Sequence, residues 1–256
     1  MGSTALKPIL APRPASSPPT EAQSVVAYDL LAAEYDADSH RTTRGLERAG
    51  INAVRAANLI GVLSRPGATV LEVGAGTGVL TEALLRPLRG GYLVFSDPAP
   101  GMVARATERL AGIGKSSLAV PMIAGASEMA TRVGFRPDVI AAGLADPYLS
   151  PSLLQALMRV GRRDTRVFVT VPSRRWAVAE RQRLGIPIDR TRFRTVAGDE
   201  VFSRSVTLDA PELGDLFEQN GLRRVKSGTI AAQDWIGDPQ PEIAWAVGQP
   251  TLADCP

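Results

Sequence analysis

The sequence predicts an α/β fold, a doubly wound and mostly parallel sheet with helices ahead of it and a small insertion after the fifth strand. Three observations carry that expectation. From about residue 68 onward, apolar strand-like runs alternate with segments of helical periodicity, the pattern of successive βα units. The first run, Val70-Leu71-Glu72-Val73, ends in an acidic residue and passes through Gly74, Gly76 and Gly78 into an amphipathic segment, which reads as buried strand, tight turn and helix. A length of 256 residues, 45% hydrophobic and 21% charged, suffices for one substantial core.

The elements follow in order. Residues 1–20 place Pro8, Pro12, Pro14, Pro18 and Pro19 among small residues, so 1–22 reads as a disordered leader. Residues 23–64 read as a helical cap, in two segments broken around Asp38–Thr42. The core spans 65–250, with strand one at 68–73 and its helix at 79–88. Strand two, Tyr92-Leu93-Val94-Phe95-Ser96, ends at Asp97-Pro98, and Met102, Val103, Ala106 and Leu110 recur at helical spacing after it. Strand three lies near 118–123, and Asp138-Val139-Ile140-Ala141-Ala142 opens strand four. Leu153, Leu154 and Leu157 give the next helix an apolar face, and strand five is 166–171. Pro172 breaks the rhythm. Residues 173–207 form a polar, arginine-rich insertion with a short hairpin around Gly198-Asp199. A helix at 210–220, closed by Gly221, leads to strands near 222–230 and 243–247.

Composition narrows the classes of partner. The 29 basic and 26 acidic residues leave a net charge of +3, a weak pull on polyanions. Lys7, Lys115 and Lys226 are the only lysines, so nearly all positive charge is arginine, as codon bias in a GC-rich bacterial genome would produce. Arginine clusters are discounted accordingly. Cys255 is the sole cysteine, which excludes an intrachain disulfide and a cysteine-based zinc site. The chain has no 18-residue apolar run, so no transmembrane helix is expected, and a cytoplasmic location is the default.

Glycines on alternate positions let a backbone approach a ligand closely. Two common glycine motifs fail by register. The dinucleotide fingerprint would need a further glycine at Val79, or at Thr81 in the second frame. Gly114-Lys115-Ser116 resembles the end of a phosphate loop, but Arg109 stands where the leading glycine belongs. Glu72, at the end of a buried strand, either reaches solvent or orients the glycine loop and an ammonium group of the ligand. Asp97 follows Gly78 by 19 residues at the tip of strand two. A carboxylate there suits two ribose hydroxyls; capping the following helix is the alternative.

The pattern acid-x-Gly-x-Gly-x-Gly after a strand resembles motif I of the class I S-adenosylmethionine-dependent methyltransferases. From about Tyr28 to Pro250 the chain is similar to their small-molecule branch, the methyltransferase type 11 or ubiquinone-biosynthesis-like group. The similar pieces run in order: 33–36 (Ala-Glu-Tyr-Asp), 71–78, Ser96-Asp97-Pro98, 125–128 (Gly-Ala-Ser-Glu), Pro137-Asp138-Val139-Ile140 and 207–213. The resemblance implies a Rossmann-like seven-stranded sheet of order 3-2-1-4-5-7-6 with the last strand antiparallel. It implies S-adenosyl-L-methionine as cofactor, with Gly74, Gly76 and Gly78 along the methionine moiety and Asp97 on the ribose. It further assigns Tyr35 to the neighbourhood of the cofactor carboxylate, and Pro98, Met102 and Gly143 to the cofactor site. Met102 reads equally well as helix core.

Two positions depart from that pattern. Ala126 stands where relatives often carry an aspartate for the adenine amino group, so Ser127 or a backbone carbonyl would take that contact. Pro147, within Ala145-Asp146-Pro147-Tyr148, stands where many relatives carry a histidine. That segment should border the transferred methyl, with Asp146 accepting a proton or orienting a nucleophile and Tyr148 stacking on substrate; a surface turn is the alternative. His40, the sole histidine, lies in the covering N-terminal segment and is either a base or simply solvated.

The insertion, with Arg174, Arg181, Arg190 and Arg192 beside Trp176 and Phe193, reads as a solvated flap or as a substrate cap for an anionic group. The expected function is methyl transfer to an oxygen or nitrogen of a small metabolite, in bacterial secondary metabolism, with no membrane partner. Alternatives are a non-methylating cofactor-binding scaffold or rearrangement catalyst and, further behind, a nucleic-acid amino methylase. The last rests on Asp146-Pro147-Tyr148, a faint likeness to the Asp/Asn-Pro-Pro-Tyr segment of those enzymes. The sequence does not fix the oligomeric state.

Overall fold

A computed structural model describes residues 17–37, 40–233 and 235–251. Most of the leader and Cys255 lie outside the described residues. Helix α1 (Glu21–Leu31) starts in a capping box in which Thr20 and Gln23 satisfy each other's backbone N–H groups. Helices α2 (Arg41–Ala56) and α3 (Leu59–Leu63) complete the N-terminal layer. Then come β1 (Thr69–Val73), α4 (Val79–Leu85), β2 (Tyr92–Asp97), α5 (Pro100–Ala111) and β3 (Ala119–Ile123). They are followed by α6 (Ala126–Arg132), β4 (Val139–Gly143), α7 (Pro151–Val160) and β5 (Arg166–Pro172). Helix α8 (Arg174–Leu184) and the hairpin β6 (Arg190–Arg194) and β7 (Glu200–Arg204) precede α9 (Ala210–Gln219), β8 (Leu222–Ala231) and β9 (Glu242–Pro250).

Seven strands form one sheet in the order β3-β2-β1-β4-β5-β9-β8, with β9 antiparallel to both neighbours and the other pairs parallel. With the β6-β7 hairpin set aside, this is the order 3-2-1-4-5-7-6 implied by the resemblance. Alternate residues of each central strand enter opposite cores, as the pleat dictates. Val70, Leu93, Val139 and Phe168 pack toward α2, α4 and α5, whereas Leu71, Val94, Ile140 and Val167 pack toward α7 and α9. The chain steps outward from β1 in one direction and from β4 in the other, so the carboxyl ends of these two strands flank the switch point where such sheets bind ligands.

The elements differ from the sequence expectation in several places. Helix α1 begins at Glu21, inside the leader expected at 1–22, and the cap expected in two segments holds three helices. Helix α6 was not expected; it is short and buries only Met129, too little to print a periodic pattern. Helix α2 already starts at Arg41, inside the break expected at Asp38–Thr42, of which Asp38 and Ser39 lie outside the described residues. The insertion holds a helix besides its hairpin: Ser173 caps α8 by accepting the Trp176 N–H, and Gly185 ends it at φ +65°. Its arginines are not all solvated, since Arg181 and Arg190 are buried.

Candidate active site

Three adjoining cavities run along the carboxyl ends of the central strands. The first, about 70 Å³, is lined by Gly74, Gly76, Asp97, Met102, Gly143 and Tyr148, with Glu47 and Tyr35 reaching in from the cap. The second, about 240 Å³, lies beside Pro98, Ala126 and Ser127 and shares Gly74, Ala145 and Tyr148 with the first. The third, about 260 Å³, lies between the cap and the insertion, where Tyr28, Tyr35, His40, Asp146, Trp176 and Phe193 meet. It shares Tyr28, Tyr35 and Leu144 with the first.

The glycine loop owes its shape to left-handed backbone. Gly74, Gly76 and Gly78 have φ of +69°, +54° and +83°, a region costly for residues with a Cβ. The three have different neighbours. A Cβ on Gly78 would lie 2.9 Å from Ala106 Cβ in α5, and one on Gly74 would lie 3.0 Å from Ala145 Cβ. A Cβ on Gly76 would meet nothing within 4 Å. Gly76 is therefore the glycine that leaves space for a ligand. Asp97 Oδ2 accepts the Gly76 N–H at 2.9 Å and Oδ1 accepts the Ala99 N–H at 2.9 Å, so the carboxylate ties the loop to the start of α5. Burial pushes Asp97 up to about 6 despite those two bonds.

No protein-family model matches the sequence, and no curated protein matches it. Solved structures do. The DhpI complex with SAM and HEP aligns with a TM-score of 0.64 at 17% identity, over 90% of this chain and 97% of that one. The 1,6-didemethyltoxoflavin-N1-methyltransferase of Burkholderia thailandensis, bound to 1,6-didemethyltoxoflavin and S-adenosylhomocysteine, aligns at 0.58 and 18%, over 94% and 93%. The magnesium protoporphyrin IX methyltransferase of Synechocystis with bound SAM aligns at 0.57 and 14%, over 88% and 96%.

The chain has the class I methyltransferase fold. Two features of the first two cavities point to a ligand. Gly76 leaves the floor of the first clear. The Tyr148 hydroxyl, where the first and second cavities meet, is buried without a hydrogen-bond partner, and such a group is costly unless a ligand answers it.

The residues singled out from sequence fall into three sets. Tyr35, Gly74, Gly76, Asp97, Met102, Gly143 and Tyr148 surround the first cavity, and Pro98, Ala126 and Ser127 the second. His40 and Asp146 border the third. Glu72 and Gly78 line none of the three. Glu72 is 1% exposed behind the loop, its Oε2 unpartnered, and burial lifts it to about 8. Besides Asp97, the first cavity is lined by a second carboxylate, Glu47, which sequence reasoning missed. Burial, reinforced by Asp36, raises it to about 7, while Arg109 and Arg44 pull the other way. Nothing local marks this glutamate among the charges of α2; only the packing of α2 against α4, β8 and β9 brings it to the cavity.

The third cavity brings together the two side chains that sequence reasoning named as proton acceptors, His40 and Asp146. His40 is 6% exposed, with Nδ1 3.1 Å from the Tyr35 carbonyl oxygen and Nε2 3.2 Å from that of Arg194. Both ring nitrogens thus face carbonyls, and the histidine joins the cap to the hairpin. Asp146 Oδ2 accepts the Ser205 Oγ–H at 2.7 Å, and Ser205 Oγ accepts from buried Arg181 at 3.2 Å. Burial raises Asp146 to about 7, with Ser205 and Arg181 favouring the charged form. Desolvation raises the phenols of Tyr28, Tyr35 and Tyr148 above their ordinary range, so they remain protonated. Leu144, on the wall between the first and third cavities, has φ +49° although it is not glycine. Its N–H donates to both the carbonyl and the hydroxyl of Thr170, at 3.1 and 2.9 Å, which holds the strained residue in place.

Proposed function

We propose that this protein is an S-adenosylmethionine-dependent methyltransferase acting on an oxygen or nitrogen of a small metabolite, in bacterial secondary metabolism. The observation that carries the reading is the adjacency of a glycine-floored cavity at the switch point and a larger chamber between cap and insertion, with Tyr28, Tyr35 and Leu144 as their common wall. When bound, S-adenosylmethionine supplies a methyl group on a positively charged sulfur. Gly74 and Gly76 would lie along its methionine part, Glu47 and Tyr35 near the ends of that part, Asp97 at the ribose, and Pro98, Ala126 and Ser127 at the base.

The chain's own contribution is alignment and one proton acceptor. Cap and insertion flank the acceptor chamber, and correct alignment supplies much of the acceleration of an in-line displacement. The chamber would hold the acceptor with its lone pair toward the methyl group that bound S-adenosylmethionine would supply. Ionised Asp146 takes the proton from the attacking O–H or N–H. Its position near neutrality suits that task.

The nucleic-acid reading finds less support. The Asp146 carbonyl accepts the Val206 N–H at 3.3 Å and the Pro147 carbonyl accepts from Arg204 at 3.3 Å, so both carbonyls are already engaged. The expected location is the cytoplasm; among the described residues no helix is long and apolar enough to cross a membrane.

Calorimetric titration with S-adenosylmethionine and S-adenosylhomocysteine, wild type against Asp97→Ala, tests the cofactor site. Micromolar binding that Asp97→Ala weakens severely supports the reading and justifies an acceptor screen with isotope-labelled methyl donor. Folded protein that binds neither ligand overturns it and favours a scaffold role.

A further inference from the structure

Positive charge is not spread evenly along this chain. Residues 173–207 hold eight arginines against Glu180, Asp189, Asp199 and Glu200, a net +4, which leaves the rest of the chain at −1 within the overall +3. A genomic preference for arginine over lysine leaves that balance untouched, so it does not account for the concentration. The excess lies on the insertion, which with the cap flanks the third cavity.

Four of these arginines border that cavity, and they are not equally engaged. Arg183 holds Glu180 through two hydrogen bonds of 2.8 Å. Buried Arg181 donates to the Arg190 carbonyl, Thr191 and Ser205. Arg192 and Arg194, two apart on β6, share one face of the strand. Both approach the same oxygen, Glu200 Oε1, at 3.3 and 3.5 Å, longer than the roughly 2.7–2.9 Å usual between such charges. Each guanidinium carries five N–H donors, more than one shared carboxylate can answer for two. Arg192 is the more sheltered of the pair, 28% exposed against 71%. From the cap, Thr42 and Thr43 in the first turn of α2 line the same cavity. That turn has no acidic residue and its N-cap makes no side-chain hydrogen bond, so the positive end of the helix adds to the excess.

We propose that the acceptor carries an anionic group, a carboxylate or a phosphate ester, taken up by Arg192 and Arg194 in the third cavity. An oxyanion there answers donors that Glu200 leaves over and offsets the surplus of the insertion, while Tyr28, Tyr35 and Leu144 join its chamber to the first cavity. This assignment deepens the methyltransferase reading and rests on it for the reaction alone; anion recognition is measurable without turnover.

The test uses the full-length protein and three probes of one ring size: 3-hydroxybenzoate, 3-hydroxyphenyl phosphate and, as the uncharged counterpart, 3-hydroxybenzamide. Binding is measured by calorimetry with and without saturating S-adenosylhomocysteine, at about 0.15 M salt, where loose surface attraction is screened. At least one anion should bind about tenfold more tightly than the amide, the better of the two telling carboxylate from phosphate. Arg192→Gln should remove that preference and Arg192→Lys should keep part of it. Arg174→Gln removes the same charge outside the chamber, where Arg174 pairs with Glu212 at 3.0 Å, and should leave the preference intact. Thermal unfolding of the variants checks that the fold survives. Equal binding of the amide, no binding of either anion by folded protein, or an equal loss in Arg174→Gln would overturn the proposal. Failure to bind S-adenosylhomocysteine while the anion preference persists would sink the methyltransferase reading and leave the anion site standing.

Discussion

Asp97 Oδ2 and the Gly76 N–H lie 2.9 Å apart, joining the tip of β2 to the one loop glycine whose missing Cβ faces open space. The carboxylate therefore shapes the loop and presents its remaining lone pairs to the cavity floor. Asp97→Ala should remove both effects. The loss of S-adenosylhomocysteine affinity should be about 2–3 kcal/mol, the scale of charge-assisted hydrogen bonds. Asp97→Asn should retain a bond to one backbone N–H and lose less. Calorimetry on the two variants checks the order.

Gly76 and Gly78 should fail in different ways. Both sit at positive φ, so alanine at either place incurs about 1–2 kcal/mol of backbone strain. Only Gly78→Ala also drives a methyl into Ala106. Gly78→Ala should show the larger drop in urea stability. Gly76→Ala should fold with the modest loss and bind S-adenosylhomocysteine poorly. Equal stability losses in the two variants would contradict the assignment of Gly76 to the ligand face.

Glu72 gives a pH signature of stability. Its carboxyl is lifted from 4.5 to about 8 chiefly by burial. The folded state thus keeps this proton where the unfolded chain releases it, so stability falls as pH rises from about 4.5 to about 8 and is level above that. Glu72→Gln should remove this contribution. The variant should gain on wild type across that window, by a few kcal/mol at its alkaline end, in denaturant titrations at successive pH values.

For Asp146 the active form is the ionised one. Once an acceptor is in hand, kcat/KM should rise with pH through a midpoint of about 7. Ser205→Ala withdraws a hydrogen bond that favours the carboxylate, so the midpoint should move to higher pH. Asp146→Asn should flatten the profile and lower the rate. A profile unchanged by Ser205→Ala would mean that Asp146 does not set the pH dependence.

Much of this was legible beforehand because it is local. Apolar runs at strand spacing located every strand of the main sheet to within a residue or a few, and the turn at Gly198-Asp199 announced the β6-β7 hairpin. The alternate glycines carry their backbone requirement with them, and the φ values of all three meet it. Helix α8 escaped because its polar residues dominate and its buried face, Trp176, Ala177, Glu180 and Arg181, mixes charge with apolar surface.

By itself the sequence determined the alternation of strands and helices, the open loop at the end of β1 and the acid at the tip of β2. These depend on residue spacing and backbone sterics over a dozen positions, which any reading of the chain contains. The tertiary structure decided which side chains share a wall. Asp146 meets Ser205 across 59 residues and His40 meets the Arg194 carbonyl across 154. Glu47 lines the same cavity as the glycine loop only because α2 packs against α4, β8 and β9, and Leu144 takes its strained conformation only because Thr170 of the neighbouring strand holds it. Such pairings follow from how buried faces stack, and burial is also what shifts Glu47, Asp97 and Asp146 toward neutrality. No short window of sequence holds both partners of a contact made that way.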